Sequence, residues 1–201
     1  MITQQAKRFL SKADPVMADL VKRLKVDHFQ FRENHFRGLV VSIINQQLST
    51  KAAATITRRF WAVLGTKNFT HKHILKTSFD KLRAAGISGS KVRFIKGLAA
   101  AMEAKELNFR KIQKMDDEQV IRELSKHKGV GRWTAEMFLI FSLGRPDVFS
   151  LGDGGLKNAM IKIYKLKNPS PKKLLQIAER WKPYRSLASL YLWTSLDNQP
   201  K

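Results

Sequence analysis

Lys128-Gly129-Val130-Gly131-Arg132-Trp133-Thr134-Ala135 lies between two stretches of helical patterning. Upstream, Ile121, Leu124 and Ser125 form one side of a helix predicted to end near Lys126. Downstream, Trp133, Ala135, Met137, Phe138 and Ile140 begin a second helix. Gly129 and Gly131 let the backbone turn tightly between them and leave its N–H groups uncovered. The pattern predicts a helix-hairpin-helix, and N–H groups gathered at a helix N-terminus suit a DNA phosphate. Glycines punctuate many loops, so the same stretch taken alone also reads as an ordinary helix–helix turn. The rest of the chain decides between the two.

Charge is the first discriminator. The 201 residues carry 38 Lys+Arg against 16 Asp+Glu, a formal net charge of +22, with 43% hydrophobic residues. A folded domain so far from neutrality points to a polyanionic partner rather than to a merely soluble basic surface. A membrane surface fits less well, because the apolar residues are spread at core spacing along many helices. The length allows one compact domain or two small lobes, with a core large enough to need no disulfides. Cysteine is absent, which excludes disulfides, thiol catalysis and cysteine-ligated zinc or iron–sulfur clusters. Of five histidines only His71 and His73 are close, and an i, i+2 pair does not share a helical face, so no metal site is expected there. Neither a signal peptide nor a run of about 18 apolar residues is present, and a soluble intracellular chain is expected, in the cytoplasm or nucleoid, or in the nucleus of a eukaryote.

The remaining patterning is helical almost throughout. Asp14-Pro15 reads as a helix start, with Val16, Leu20, Val21 and Leu24 on one side. Phe36, Leu39, Val40, Ile43 and Ile44 mark a second helix that runs into Asn45-Gln46-Gln47-Leu48-Ser49. Ser49 or Thr50 caps the next, with Ala53, Ile56, Phe60 and Leu64 inward and Gly65 at its end. Further starts are predicted at Ser78, Ser88, Asp116, Asp153, Ser170-Pro171 and Pro183. No segment alternates as a strand with hairpin turns. The predicted fold class is all-α.

The run Gly129 to Ala135, followed by Asp147-Val148-Phe149-Ser150-Leu151-Gly152-Asp153-Gly154-Gly155, resembles the helix-hairpin-helix DNA glycosylases that carry a Gly/Pro-rich loop and an aspartate. It is most similar to their alkylpurine branch, 3-methyladenine DNA glycosylase II. Ile44-Asn45-Gln46-Gln47-Leu48-Ser49, Gly86-Ile87-Ser88 through Gly97-Leu98, and Arg180-Trp181-Lys182-Pro183-Tyr184-Arg185-Ser186 agree with the family in the same order. The resemblance implies two helical lobes with an inter-lobe active cleft, one of about residues 30–142, the other combining about 1–29 with 143–201. It implies a monofunctional glycosylase that binds double-stranded DNA as a monomer, flips an alkylated purine (3-methyladenine or 7-methylguanine) and hydrolyses its bond to deoxyribose. No organic cofactor is implied, and a monovalent cation held by hairpin carbonyls is compatible with it.

Residue by residue, an Asp just before a helix is ordinarily a cap. The resemblance makes Asp153 the catalytic residue as well, and it is the only acid between Val148 and Lys173. One carboxylate suffices where the leaving base is already cationic, since no second acid must protonate it. Trp133 stands where the lyase branch has its Schiff-base lysine. With Met137 and Trp193 it is expected to wall the base pocket, although either Trp also reads as plain core. Met137 and Thr194 stand where relatives often carry aromatics, and Leu151 where a proline is common. Gly129, Val130 and Gly131 are expected to hold phosphate through N–H groups, with Lys128, Arg132, Thr134, Lys91, Gly89, Ser49, Gln46 and Gln47 at the DNA. The gap left by a flipped base would be filled by Ile87 or by Gln46-Gln47-Leu48. Arg185 is expected to orient the site, or else to serve as a structural ion pair. Two other readings stay open: a non-catalytic helix-hairpin-helix DNA-structure binder, and a glycosylase for a neutral base such as hypoxanthine or uracil.

Overall fold

The computed structural model describes residues 3–26 and 34–197. Helix α1 (Gln4–Ala13) and α2 (Pro15–Arg23) are followed by α3 (His35–Asn45), α4 (Thr50–Leu64), α5 (His71–Lys76), α6 (Phe79–Ala84) and α7 (Gly89–Glu103). Then come α8 (Phe109–Ile112), α9 (Asp117–Ser125) and α10 (Arg132–Phe138), which runs on as a π-helical turn, Leu139–Leu143. The chain closes with α11 (Gly154–Ile163), α12 (Pro171–Glu179) and α13 (Arg185–Asp197). No strand occurs among the described residues. The fold is all-α.

Two compact units emerge, Met1–Phe31 with Gly144–Lys201, and Arg32–Leu143. The lobe boundary expected near residue 30 lies outside the described residues. In the continuous unit, α3 is buried nearly all round through Phe36, Leu39, Val40, Val41, Ile43 and Ile44. It packs against α4, α7, α10 and the π-turn, and a helix apolar on every side belongs in such a core. In the other unit, Leu10, Met17, Leu20, Leu156, Met160, Trp181, Tyr191 and Leu192 form one core under α1, α2, α11, α12 and α13.

The discontinuous unit is tied together by Asp14, whose side chain is fully buried. Its Oδ1 accepts from the Val16 N–H at 2.9 Å and so caps α2. Its Oδ2 accepts from the Tyr164 hydroxyl at 2.8 Å, an Arg180 guanidinium nitrogen at 3.0 Å and the Trp181 indole N–H at 3.3 Å. A buried carboxylate is tolerable only when its lone pairs are filled in this way. Burial, then the bond to Asp14, pushes the Tyr164 phenol above its usual value.

The structure adds the short helices α5 and α8, which the sequence reading did not single out, and amends that reading in three further places. Helix α1, which no capping or periodicity argument singled out, begins at Gln4 behind a Thr3 cap. The last helix starts at Arg185 rather than at Pro183, which lies in a cis peptide two residues earlier. The hairpin's second helix widens into a π-turn at Leu139.

Candidate active site and nucleic-acid interface

In the continuous unit, α9 ends at Ser125 and α10 begins at Arg132 with Gly131 as an N-cap that has no side chain to offer. The two hairpin glycines serve different ends. Gly129 has φ +86°, and a Cβ there would run into the Phe94 ring of α7. Gly131 has an ordinary φ of −89°, and a Cβ there would meet nothing within 4 Å. The fold's own packing requires glycine at 129, whereas at 131 it leaves open space above the head of α10. Among the described residues no acceptor serves the Gly129 or Gly131 N–H. Amides left uncovered beside an uncapped helix start form an anion-binding geometry. Lys128 is exposed beside them.

Several expected DNA contacts turn inward instead. The Val130 N–H is spent on the His127 carbonyl at 3.1 Å, and its side chain is buried. Thr134 is 2% exposed, and its hydroxyl accepts from Gln46 Nε2 at 2.8 Å. Gln46 gives its amide group also to the Gly129 carbonyl at 2.8 Å, so it braces the hairpin rather than projecting from it. Lys91 Nζ donates to the Ile44 and Gln46 carbonyls at 2.9 and 2.6 Å, which removes it from a phosphate role. Ile87 is 2% exposed, a core side chain and not a filler for a vacated base position. Arg132 is exposed but engaged by Glu118 at 2.5 Å and Glu136 at 3.0 Å, so much of its positive charge is met within the chain. The hydrogen bond Arg132 donates to Glu118 leads the causes that hold its guanidinium above its ordinary pKa. A motif read along a line cannot say which way a polar side chain swings, and the hairpin's neighbours in space claim these groups.

The other expected positions range from exposed to buried. Gln47 is exposed at the α3–α4 turn with φ 55°, a left-handed backbone unusual for a side chain of its size. Ser49 caps α4 through its bond from the Ala52 N–H. Gly89 is the first residue of α7 and half-buried. Trp133 is half-buried and Met137 is 5% exposed.

In the discontinuous unit, Asp153 caps α11, its Oδ1 accepting from the Leu156 N–H at 2.6 Å. The same oxygen accepts from the Trp193 indole N–H at 2.9 Å. The capping reading holds, and the cap and the indole converge on one oxygen of the carboxylate. Trp193 is half-buried. Its role as a donor to Asp153 was not evident from sequence, because 40 residues separate the two. Gly155 keeps the spot clear, since a Cβ there would sit 3.3 Å from Asp153 Oδ1 and 3.6 Å from Trp193 Cδ1.

The strand of loop leading to Asp153 is clamped onto the start of α13. Arg185 makes a two-pronged pair with Asp147, Nε to Oδ1 at 2.8 Å and Nη2 to Oδ2 at 3.0 Å, and Nη2 also reaches the Asp147 carbonyl at 2.9 Å. Ser186 donates its hydroxyl to the Arg145 carbonyl at 2.7 Å and accepts from the Val148 N–H at 2.9 Å. The geometry gives Arg185 the structural ion-pair role, and Ser186, which sequence reasoning missed, shares the work. No cluster of metal-ligating side chains occurs among the described residues. No described helix is long and apolar enough to cross a membrane.

The family model described as the HhH-GPD superfamily of base excision DNA repair proteins matches residues 40–183. An alkylbase DNA glycosidase-like protein of Schizosaccharomyces pombe is 32% identical over 94% of this chain and 92% of its own length. DNA-3-methyladenine glycosylase 1 of the same yeast is 31% identical, over 88% of this chain and 79% of its own. The solved structure of a 3-methyladenine DNA glycosylase from Schizosaccharomyces pombe in complex with abasic DNA superposes with a TM-score of 0.84 at 30% identity, covering 98% of this chain and 100% of that one.

Proposed function

The chain belongs to the HhH-GPD superfamily of base excision DNA repair proteins, and from that membership we propose that it is a monofunctional DNA glycosylase releasing alkylated purines from duplex DNA. The names of its relatives support alkylated bases as the substrate class. The observation that carries the reading is the Asp153 carboxylate, held by the Leu156 and Trp193 N–H groups at the head of α11.

As the N-glycosidic bond lengthens, positive charge grows on the deoxyribose ring, and a fixed carboxylate stabilises it electrostatically. Water then adds to the anomeric carbon, its proton passing to Asp153 or to solvent. A purine alkylated at N3 or N7 carries a formal positive charge, takes the bonding pair and leaves neutral. No acid is therefore needed opposite Asp153, and no organic cofactor enters. Trp193, beside Asp153, is proposed as a pocket residue whose indole offers a π face to a cationic base. Trp133 in place of a lysine leaves no amine there for covalent attack, so no strand break accompanies release. Gly129 and Gly131 N–H groups, with Lys128, are proposed to hold phosphate. Gln47, exposed at its turn, is proposed to fill the space of the flipped base. Backbone oxygens of the hairpin are proposed to accept a monovalent cation, tested by DNA affinity in potassium against tetramethylammonium salts.

The deciding experiment is a panel of defined duplexes carrying 7-methylguanine, 3-methyladenine, hypoxanthine or uracil, with released bases identified and borohydride trapping run alongside. Release of the cationic purines ahead of the neutral bases, with no trapped adduct, is expected. Asp153→Asn is expected to lower release at least about a thousandfold and leave DNA binding intact. Duplex binding without release of any base would instead favour a non-catalytic DNA-structure binder.

A further inference from the structure

One face of α7 serves both loops proposed to touch DNA. Lys91 and Phe94 are three residues apart and so lie on the same side of that helix. Lys91 Nζ donates to the Ile44 and Gln46 carbonyls at 2.9 and 2.6 Å, at the end of α3 where helical carbonyls have no partners of their own. Phe94 fills the space that a side chain on Gly129 would need. Gln46 closes the triangle, its Nε2 donating to the Gly129 carbonyl and the Thr134 hydroxyl, both at 2.8 Å. Between these contacts stands Gln47, exposed, with its backbone at φ 55°.

In a chain with 38 basic residues a lysine turned away from solvent is informative. Partial desolvation pushes the Lys91 ammonium below its ordinary value. The placement costs solvation and returns two hydrogen bonds to a turn that is otherwise irregular. A left-handed residue that is not glycine persists only where its surroundings over-determine it, and here both sides of the turn are fixed.

We propose that Lys91 and Gln46 are positioning residues that lock the α3–α4 turn to the hairpin, so that Gln47 meets the base stack in fixed register with the phosphate anchor. The proposal rests on the reading of the chain as a base-flipping glycosylase, and it assigns Lys91 to the shape of the protein's DNA face rather than to the phosphate chain.

The test uses the full chain carrying Asp153→Asn and a duplex with 2-aminopurine beside a 7-methylguanine, so that unstacking is read by fluorescence without catalysis. Lys91→Met is expected to lower the unstacked fraction about tenfold, as displacements of about an ångström do to oriented groups. Its affinity for undamaged duplex is expected to stay within about twofold, with an unchanged salt slope. Lys91→Arg keeps a cation and donors and is expected to recover most of the fluorescence change, while Gln46→Ala should match Lys91→Met. Thermal unfolding of each variant guards against loss of fold, and the arginine variant keeps the idea exposed if the methionine one is unstable. Unchanged unstacking in Lys91→Met or Gln46→Ala would overturn the proposal. So would a loss of duplex affinity in proportion to unstacking, with a shallower salt slope, because that marks a phosphate contact. Wild-type unstacking without base release would retire the glycosylase reading alone, since the fluorescence comparison does not depend on turnover.

Discussion

Trp193 makes two demands on one side chain: an indole face for a pocket and an N–H for Asp153 Oδ1 at 2.9 Å. Trp193→Phe separates them, keeping a ring and deleting the donor. A hydrogen bond to a charged group contributes about 1.5–3 kcal/mol, so single-turnover base release is expected to fall about ten- to a hundredfold, with duplex affinity unchanged. A release rate equal to that of the wild type would leave Trp193 as a pocket wall only. By residue type Asp153 reads as a helix cap and the family resemblance marks it as catalytic, while Trp193 is marked as an aromatic, but the bond between them needs the α11 and α13 contact to be seen. The same limit explains Lys91, Gln46 and Thr134. Their polarity suggested the DNA face, and only the packing of α7 against α3 turns them toward protein carbonyls and hydroxyls.

Within the hairpin, the two glycines give opposite expectations. Gly129→Ala forces a side chain into φ +86° and against Phe94. Left-handed backbone costs about 1–2 kcal/mol and crowding about 1–3 more, so a loss of roughly 2–5 kcal/mol is expected in urea unfolding. Gly131→Ala meets open space and an ordinary φ, and its stability is expected within about 0.5 kcal/mol of the parent. Equal midpoints for the two variants would refute this division. Helix starts were the legible part of the fold, because Asp14, Ser49, Ser78, Ser88, Asp116, Asp153 and Ser170 each place an oxygen where the first N–H groups are bare. Helix α1 was not legible, since only Ala6 and Leu10 of its ten residues are buried and they make too short a stripe. The π-turn was not legible either, because Leu139-Ile140-Phe141-Ser142-Leu143 is equally good α-helix sequence.

Across the whole molecule, a net charge of +22 and the Asp14 cluster set the expected behaviour. Binding to undamaged duplex should weaken steeply with salt, each neutralised phosphate adding about −0.9 to the log–log slope. Gly131→Asp, which the fold has room for, should cut that affinity at least about tenfold by the anion it introduces. A folded Gly131→Asp protein that binds like the parent would remove the hairpin from the interface. Asp14→Ala strips the acceptor from Tyr164, Arg180 and Trp181 at once. Breaking such a buried pair costs about 3–5 kcal/mol, and the thermal midpoint should drop by roughly 10 °C. Sequence offered Asp14 only as the cap before Pro15, because its other partners stand 150 residues and more downstream. That separation also orders events on the ribosome. Arg32–Leu143 is one continuous run and leaves the exit tunnel with its contacts complete. Translation proceeds at about 5–20 residues per second, so Asp14 waits roughly 10–30 s for Tyr164 and Trp181. During that interval Leu10, Met17 and Leu20 have emerged before the helices that will cover them, and their apolar surface is open to wrong partners until α11 to α13 arrive.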